Sequence, residues 1–475
     1  MGESAKHIDE NMNRHGEAEM EQSLEDSQTV DEKLSHRRSS TGSQILTKKQ
    51  KILRIAALLF SQVCVLSGYS MISPFFPQEA KSVGLTQTEV GVIFSIFAAV
   101  TFVMSPIYGV AIVRLGPKFM CVAGCFLCGG ASLLFGLLNY IPGKDVFFVL
   151  ALLIRVAEGN GSAMLSVASA TMILESFESA TGLMYSLIEM SVAVGYIGGP
   201  AFGAAFYAIG GYSLPFMVVG GLTLAMSFIL LLVLTNEKAE AQAANFLALL
   251  KIPGIMVMFM LFVLSSLTMT YLDPVLSGWM VDTFSITTST VGLIFVSWSA
   301  AYAIVSPLIG KLVDKGYVFS IMLLGVFSSA IIFLFMAPSP LLDFIFHKQT
   351  YLWMVVVVCV LEGISGALLY IPCYQAAINI AGVNGYKQNV QTYGLVSGMM
   401  NSGYALGSLA GPLLSGYLTD KYTFKWATTV MTFVLMGMGV VLALYVTIMK
   451  MTGRPLSLPP EQETKPLLSS PINQS

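Results

Sequence analysis

The stretch GLMYSLIEMSVAVGYIGGP (Gly182–Pro200) is answered 212 residues later by GLVSGMMNSGYALGSLAGP (Gly394–Pro412). The copies share Gly182/Gly394, Leu183/Leu395, Ala193/Ala405, Gly195/Gly407 and Gly199-Pro200/Gly411-Pro412. A second repeat lies upstream of each, Ser105-Pro106-x-x-Gly109 and Ser306-Pro307-x-x-Gly310. All four stretches are strongly apolar. A membrane chain built from two similar halves points to a carrier, because binding sites form where such halves meet.

Composition agrees. Of 475 residues, 55% are hydrophobic and only 11% are charged, and the mean hydropathy is +0.74. Soluble chains carry about 25% charged residues, so most of this surface is expected to face lipid. No basic stripe with interleaved aromatics suggests a nucleic-acid partner. No nucleophile–base pair, metal cluster or phosphate loop suggests an enzyme, and no cofactor is expected. Cys125-x-x-Cys128 has metal-ligand spacing but no accompanying His or second Cys pair, so helix packing is the expected role of these thiols.

A bilayer-spanning helix needs about 20 mostly apolar residues. Twelve such runs are found, at about 53–77, 88–113, 119–138, 146–172, 181–208, 213–235, 253–279, 287–312, 318–336, 351–378, 390–418 and 427–449. The chain then divides into a polar tail (1–50), a six-span half (51–235), a polar linker (236–252), a second six-span half (253–449) and a second tail (450–475). The fold class is an all-α membrane protein of twelve helices in two pseudo-symmetric halves. Basic residues set the orientation. If the termini are cytoplasmic, Arg114, Lys118, Lys238, Lys251, Lys311 and Lys315 lie inside, against Lys81, Lys144, Lys348, Lys421 and Lys425 outside. Both termini are therefore expected in the cytoplasm. Asn160-Gly161-Ser162 is a glycosylation sequon, but it falls inside the fourth span, where no transferase reaches.

These motifs resemble those of the major facilitator superfamily. The loop after the second span matches its cytoplasmic signature at Gly109, Arg114, Gly116 and Lys118, but has Val113 where most members have Asp. The second copy, Gly310 to Asp314, keeps the acid. In the family this loop clamps the halves together. The fourth span, Arg155-x-x-Glu158-Gly159, resembles the signature tied to proton coupling. The fifth, Gly195-x-x-x-Gly199-Pro200, resembles that of antiporters, and Gly411-Pro412 repeats its end. These glycines are read equally as close-packing positions and as parts of a conformational switch. Leu272-Asp273-Pro274 in the seventh span and Pro74-Phe75-Phe76-Pro77 look like the vesicular amine transporters. Ser186-Leu187-x-Glu189 and Val113 look most like the vesicular polyamine branch. One departure matters: the monoamine and acetylcholine carriers have an Asp in the first span, and here none precedes Pro74.

Charges inside a span cost about 2.5–3.5 kcal/mol on insertion scales, so they mark cavities and partners. Arg155 and Glu158, one turn apart, are read either as a self-neutralising pair or as proton-coupling groups. Glu158-Gly159 has a counterpart in Glu362-Gly363, and pseudo-symmetry predicts that both acids face one cavity. Glu189, Asp273 and Glu362 are the expected substrate-binding carboxylates. Tyr69, Tyr271, Trp279, Trp298, Tyr302, Tyr370 and Tyr374 are candidate cation–π faces, each of which reads alone as packing or an interfacial anchor. Excess buried acid suits a small organic cation exchanged for protons. Glu463-x-x-x-Leu467-Leu468 fits a dileucine sorting signal for a clathrin adaptor, which predicts a secretory, synaptic or lysosome-related vesicle membrane. The alternatives are a plasma-membrane facilitator of a neutral or anionic metabolite, and a scaffold or receptor that moves nothing.

Overall fold

Each apolar run becomes a helix because lipid leaves backbone polar groups no partner but one another. The computed structural model describes residues 48–72, 76–177, 180–235, 246–272, 275–286, 288–342, 344 and 350–453. In chain order the helices are α1 (Lys48–Ser70), α2 (Phe76–Ser82), α3 (Gln87–Leu115), α4 (Pro117–Phe135), α5 (Lys144–Glu175), α6 (Thr181–Gly210), α7 (Ser213–Val233) and α8 (Phe246–Leu250). The second half follows with α9 (Pro253–Tyr271), α10 (Leu276–Phe284), α11 (Thr288–Asp314), α12 (Val318–Met336), α13 (Leu352–Val383), α14 (Val390–Lys421) and α15 (Phe424–Met451). Among the described residues there is no strand.

Among the described residues, with α9 and α10 counted as one crossing (Pro253–Phe284), eleven segments have the length and apolarity to cross a membrane. The twelfth is α14. It has 32 residues but is too polar to rank with the others. Its polar groups face inward: Gln391, Thr392, Ser397 and Ser402 are all buried, and α14 packs on α3, α5 and α9. Outward-facing residues are the reverse. Leu232 is 84% exposed, Ile304 72% and Leu413 66%, a distribution suited to a lipid solvent rather than water. Of the expected linker, α8 covers Phe246–Leu250; residues 236–245, and of the tails residues 1–47 and 454–475 with the dileucine residues Glu463, Leu467 and Leu468, lie outside the described residues.

Glycine sets the helix spacing. A Cβ on Gly195 would lie 2.9 Å from the Val63 carbonyl oxygen, and a Cβ on Gly407 would crowd the Val263 carbonyl in the same way. Val63 and Val263 thus occupy equivalent places, 200 residues apart. α6 lies on α1, and α14 on α9, at backbone contact. Hydroxyls seal both crossings. Ser67 and Ser70 each donate to the Gly195 carbonyl at 3.3 Å. Ser266 donates to Tyr404 O at 2.7 Å and Thr270 to Gly407 O at 3.4 Å.

The two halves meet through α3 against α14 and α6 against α11. Gly109 sits on Gly394 and Gly398, where a Cβ would come 2.6 Å from the Gly394 carbonyl. Gly310 sits on Gly182 and Ser186 in the same manner. Each seam carries a proline, Pro106 or Pro307, which cannot donate to the carbonyl four residues earlier. In α3 that carbonyl is Phe102 O, and Ser402 of α14 donates to it at 2.9 Å.

Candidate functional site

Between the seams lies a central cavity of about 100 Å³, lined by both halves. α6 delivers Glu189 to it, six residues before the Gly195 crossing that fixes the helix against α1. Glu189 is 8% exposed. Tyr302 of α11 donates to Glu189 Oε2 at 3.2 Å, and Tyr185, one turn along α6, also hydrogen-bonds the carboxylate. Tyr185 stacks on Tyr374 with ring centres 4.2 Å apart and faces Tyr370 at 6.4 Å. Tyr370 in turn meets Tyr404 at 6.2 Å and Phe262 at 4.3 Å. One carboxylate therefore stands among five tyrosines. Among the described residues Glu189 has no ion-pair partner, and no Lys, Arg or His lines the cavity. The chemistry on offer is a negative charge with aromatic faces around it, which is attractive to a desolvated cation.

The other intramembrane charges lie elsewhere. Arg155 pairs with Glu158 at 2.6 Å, and the rings of Tyr69, Phe94, Phe97 and Phe135 surround its guanidinium at 5.5–5.7 Å. This pair is packed inside the first half and neither residue lines the cavity. Glu362 is 1% exposed and turns toward α12, where Ser329 donates to its Oε1 at 3.2 Å; its Oε2 has no hydrogen-bond partner. Pseudo-symmetry does hold between the two acids: Gly159 packs on the Phe97 carbonyl and Gly363 on that of Trp298. Each acid, however, points into its own half, and the cavity expected to contain both contains neither. In the second half Cys359 stands three residues before Glu362, where Arg155 precedes Glu158. Asp273 lies outside the described residues.

Of the motifs expected to form a conformational switch, Gly109, Gly310 and Asp314 fall on the seams, whereas Gly195, Gly199 and Gly411 pack on α1 and α9 within their own halves. Gly116 has φ 82°, a left-handed turn that lets α4 start at once after α3, between Arg114 and Lys118. Asp314 ends α11 and accepts the amides of Gly182 (2.7 Å) and Leu183 (2.9 Å), the exposed N–H groups of α6. Its counterpart place by α14 is apolar. Gly394 meets Ile112 there, and α14 is capped from within its own chain, Asn389 accepting Thr392 N at 3.0 Å. Asn160 of the discarded sequon is held inside by Tyr108 at 2.6 Å.

Of the aromatic candidates, Tyr69, Tyr370 and Tyr374 line the cavity and Tyr302 reaches Glu189. Tyr271 instead donates to Ala427 O at 2.8 Å, and Trp279 packs on Phe424 at 4.7 Å. Trp298 offers its carbonyl to Gly363. Sequence reasoning passed over Tyr185, Tyr404 and Gln62, which all line the cavity. The signal for Tyr185 was its place one turn from Glu189 on the same face; for Gln62 it was a lone amide in an otherwise apolar run. The six cysteines are free and buried, with Cys125 and Cys128 donating to Thr223 O and Glu158 O.

Comparison with known proteins agrees with this architecture. The chain matches the Major Facilitator Superfamily over residues 58–271 and 258–472. It is 32% identical over 411 residues to the rat MFS-type transporter SLC18B1, covering 86% of this chain and 89% of that one. It is 23% identical over 359 residues to the human synaptic vesicular amine transporter, covering 74% of this chain and 66% of the relative. The human organic anion transporter MFSD10 (TETRAN) superposes with a TM-score of 0.66 at 16% identity, over 82% of this chain and 99% of that one. At that identity the likeness concerns fold alone. The family model spans both halves and the rat relative matches most of the chain, so the chain belongs to the major facilitator superfamily of membrane transporters.

Proposed function

We propose that the protein is a proton-coupled antiporter that moves an organic cation, a polyamine or related amine, into acidic vesicles. The observation that carries this reading is Glu189: a cavity carboxylate ringed by tyrosines with no basic residue beside it among the described residues. In a membrane interior such a group holds its charge at low cost only with a cation beside it, and otherwise favours a proton. Proton and substrate then compete for one carboxyl, and their competition couples their flows. Alternating access follows if the α3–α14 and α6–α11 seams open at one end while the other end closes. The similarity to a vesicular amine transporter supports amines and a vesicle membrane. The dileucine at Leu467-Leu468, the cytoplasmic termini and the adaptor partner belong to the same proposal.

A facilitator of an anionic metabolite fits less well, since an anion in this cavity would face Glu189 without a countercharge among the described lining. The test is uptake of labelled polyamine into proteoliposomes with an acidic interior. Glu189→Gln is expected to reduce uptake to background while the protein purifies normally. Full uptake by that variant would overturn the assignment, and gradient-insensitive transport of anions would favour the facilitator.

A further inference from the structure

Glu189 can hold one charged nitrogen. The cavity has a second polar pole, carried by α1. Gln62 lines the cavity and is 2% exposed. Its amide orientation follows from its neighbours. Ser169 donates its hydroxyl proton to Ser166 O at 3.3 Å. Ser169 therefore has only lone pairs to offer Gln62, and the amide atom 2.7 Å away is the donor Nε2. The amide oxygen Oε1 is turned from Ser169 and has no hydrogen-bond partner. A buried carbonyl oxygen left unpaired costs about 1–3 kcal/mol, so this position is expected to be occupied in the working protein.

The repeat makes the choice of residue more pointed. Since Val63 corresponds to Val263, Gln62 corresponds to Phe262, and both line the cavity. Phe262 stacks on Tyr370, on the side of the aromatic ring around Glu189. Its mirror position carries instead an amide with a free acceptor. The two halves thus contribute unlike groups at equivalent places, an aromatic ring in one and an amide acceptor in the other.

We infer that Gln62 is a second anchor of the cavity, its amide oxygen accepting an N–H from the substrate at a point away from the nitrogen held by Glu189. The ligand class this selects is a linear amine with two protonated nitrogens, in preference to a monoamine of equal length. The inference rests on the amine reading proposed above and deepens it. Thr101, Ser162 and Ser166 also line the cavity and are neutral, so what Gln62 adds is an unpaired amide oxygen rather than a second charge.

The experiment compares binding of α,ω-diaminoalkanes with n-alkylamines of matched length to the full-length protein in lipid nanodiscs, by displacement of a labelled polyamine. Wild type is expected to favour the diamine, and Gln62→Leu to lower that preference about tenfold, diamine affinity falling more than monoamine affinity. Retained monoamine binding also shows that Gln62→Leu is folded. Gln62→Glu, which keeps the acceptor and adds charge, is expected to raise the preference. Amine binding with the same diamine preference in wild type and Gln62→Leu would overturn the second anchor and leave the Glu189 reading intact. Binding of no amine by wild type would overturn both. A loss of monoamine affinity equal to the loss of diamine affinity would make Gln62 a packing residue and overturn the anchor.

Discussion

The two seams that join the halves descend from one pattern and hold by different means. Where α6 meets α11, charge is involved at two depths: Asp314 on the amides of Gly182 and Leu183, and Glu189 under Tyr302. Where α14 meets α3, the contacts are neutral. Gly109 lies on Gly394 and Gly398, Asn401 donates to Ser105 at 2.7 Å, and Ser402 to Phe102 O. Glu189 and Asn401 are equivalent positions in the repeat, as are Asp314 and Val113. A proton or cation at Glu189 would therefore meet a charge at one seam and only neutral lining groups, such as Asn401, at the other. On the proposed function, this asymmetry would put coupling at α6–α11 and leave α3–α14 to follow.

The sharpest way to break this contrast is to exchange the mid-membrane pair. Glu189→Asn combined with Asn401→Glu should lose gradient-driven uptake by about a hundredfold, as does Glu189→Gln alone, because the transplanted acid lacks its tyrosines. Uptake at wild-type level in the exchanged protein would mean that the seams are interchangeable. The neutral seam is tested by filling it. A Cβ at Gly398 would come 2.6 Å from Ser105 O, and Gly398→Val is expected to cost the closed seam about 1–3 kcal/mol. Distances between spin labels on α3 and α14 should lengthen, and turnover should fall ten- to a hundredfold. A smaller effect is expected at the helix-end contact. Asp314→Asn removes a carboxylate from an α6 N-terminus, worth about 0.3–2 kcal/mol, and Val113→Asp supplies one beside α14. Electron-resonance populations should move toward the open seam in the first and the closed seam in the second, with partial compensation in the double variant. Equal, same-direction shifts would contradict the pairing of Val113 with Asp314. The smallest change is Ser402→Ala, which strands Phe102 O and should lower stability by about 1 kcal/mol, read as a drop of a few degrees in thermal unfolding without loss of substrate selectivity.

What could be read from the chain alone was what local pattern encodes. The apolar runs marked the crossings. The Gly-x-x-x-Gly-Pro repeat identified α14, one of the twelve runs, as the counterpart of α6. The mismatch of Glu189 with Asn401 was visible as letters. Helix rotation was not. Glu158 and Glu362 were correctly matched as equivalents, yet which way an acid turns depends on the neighbour that the helix packs against, and α12 offers Ser329 where the cavity was expected. Tyr271 and Trp279 follow their packing alternative for the same reason: α15 accepts the first at Ala427 O and packs the second against Phe424. Gln62 went unread because a single amide in an apolar span has no periodicity to reveal it.

The polarity of α14 also bears on how the protein is made. A helix with Gln391, Thr392, Ser397, Asn401 and Ser402 along its length partitions into hydrocarbon poorly by itself. Its polar groups find partners only on α3 and within the finished bundle. Insertion of the eleventh crossing is then a cooperative event, completed when α3 and α9 are already in place to receive it. Lesions in those two distant helices would be expressed first as failed biogenesis of α14, before any transport step is reached.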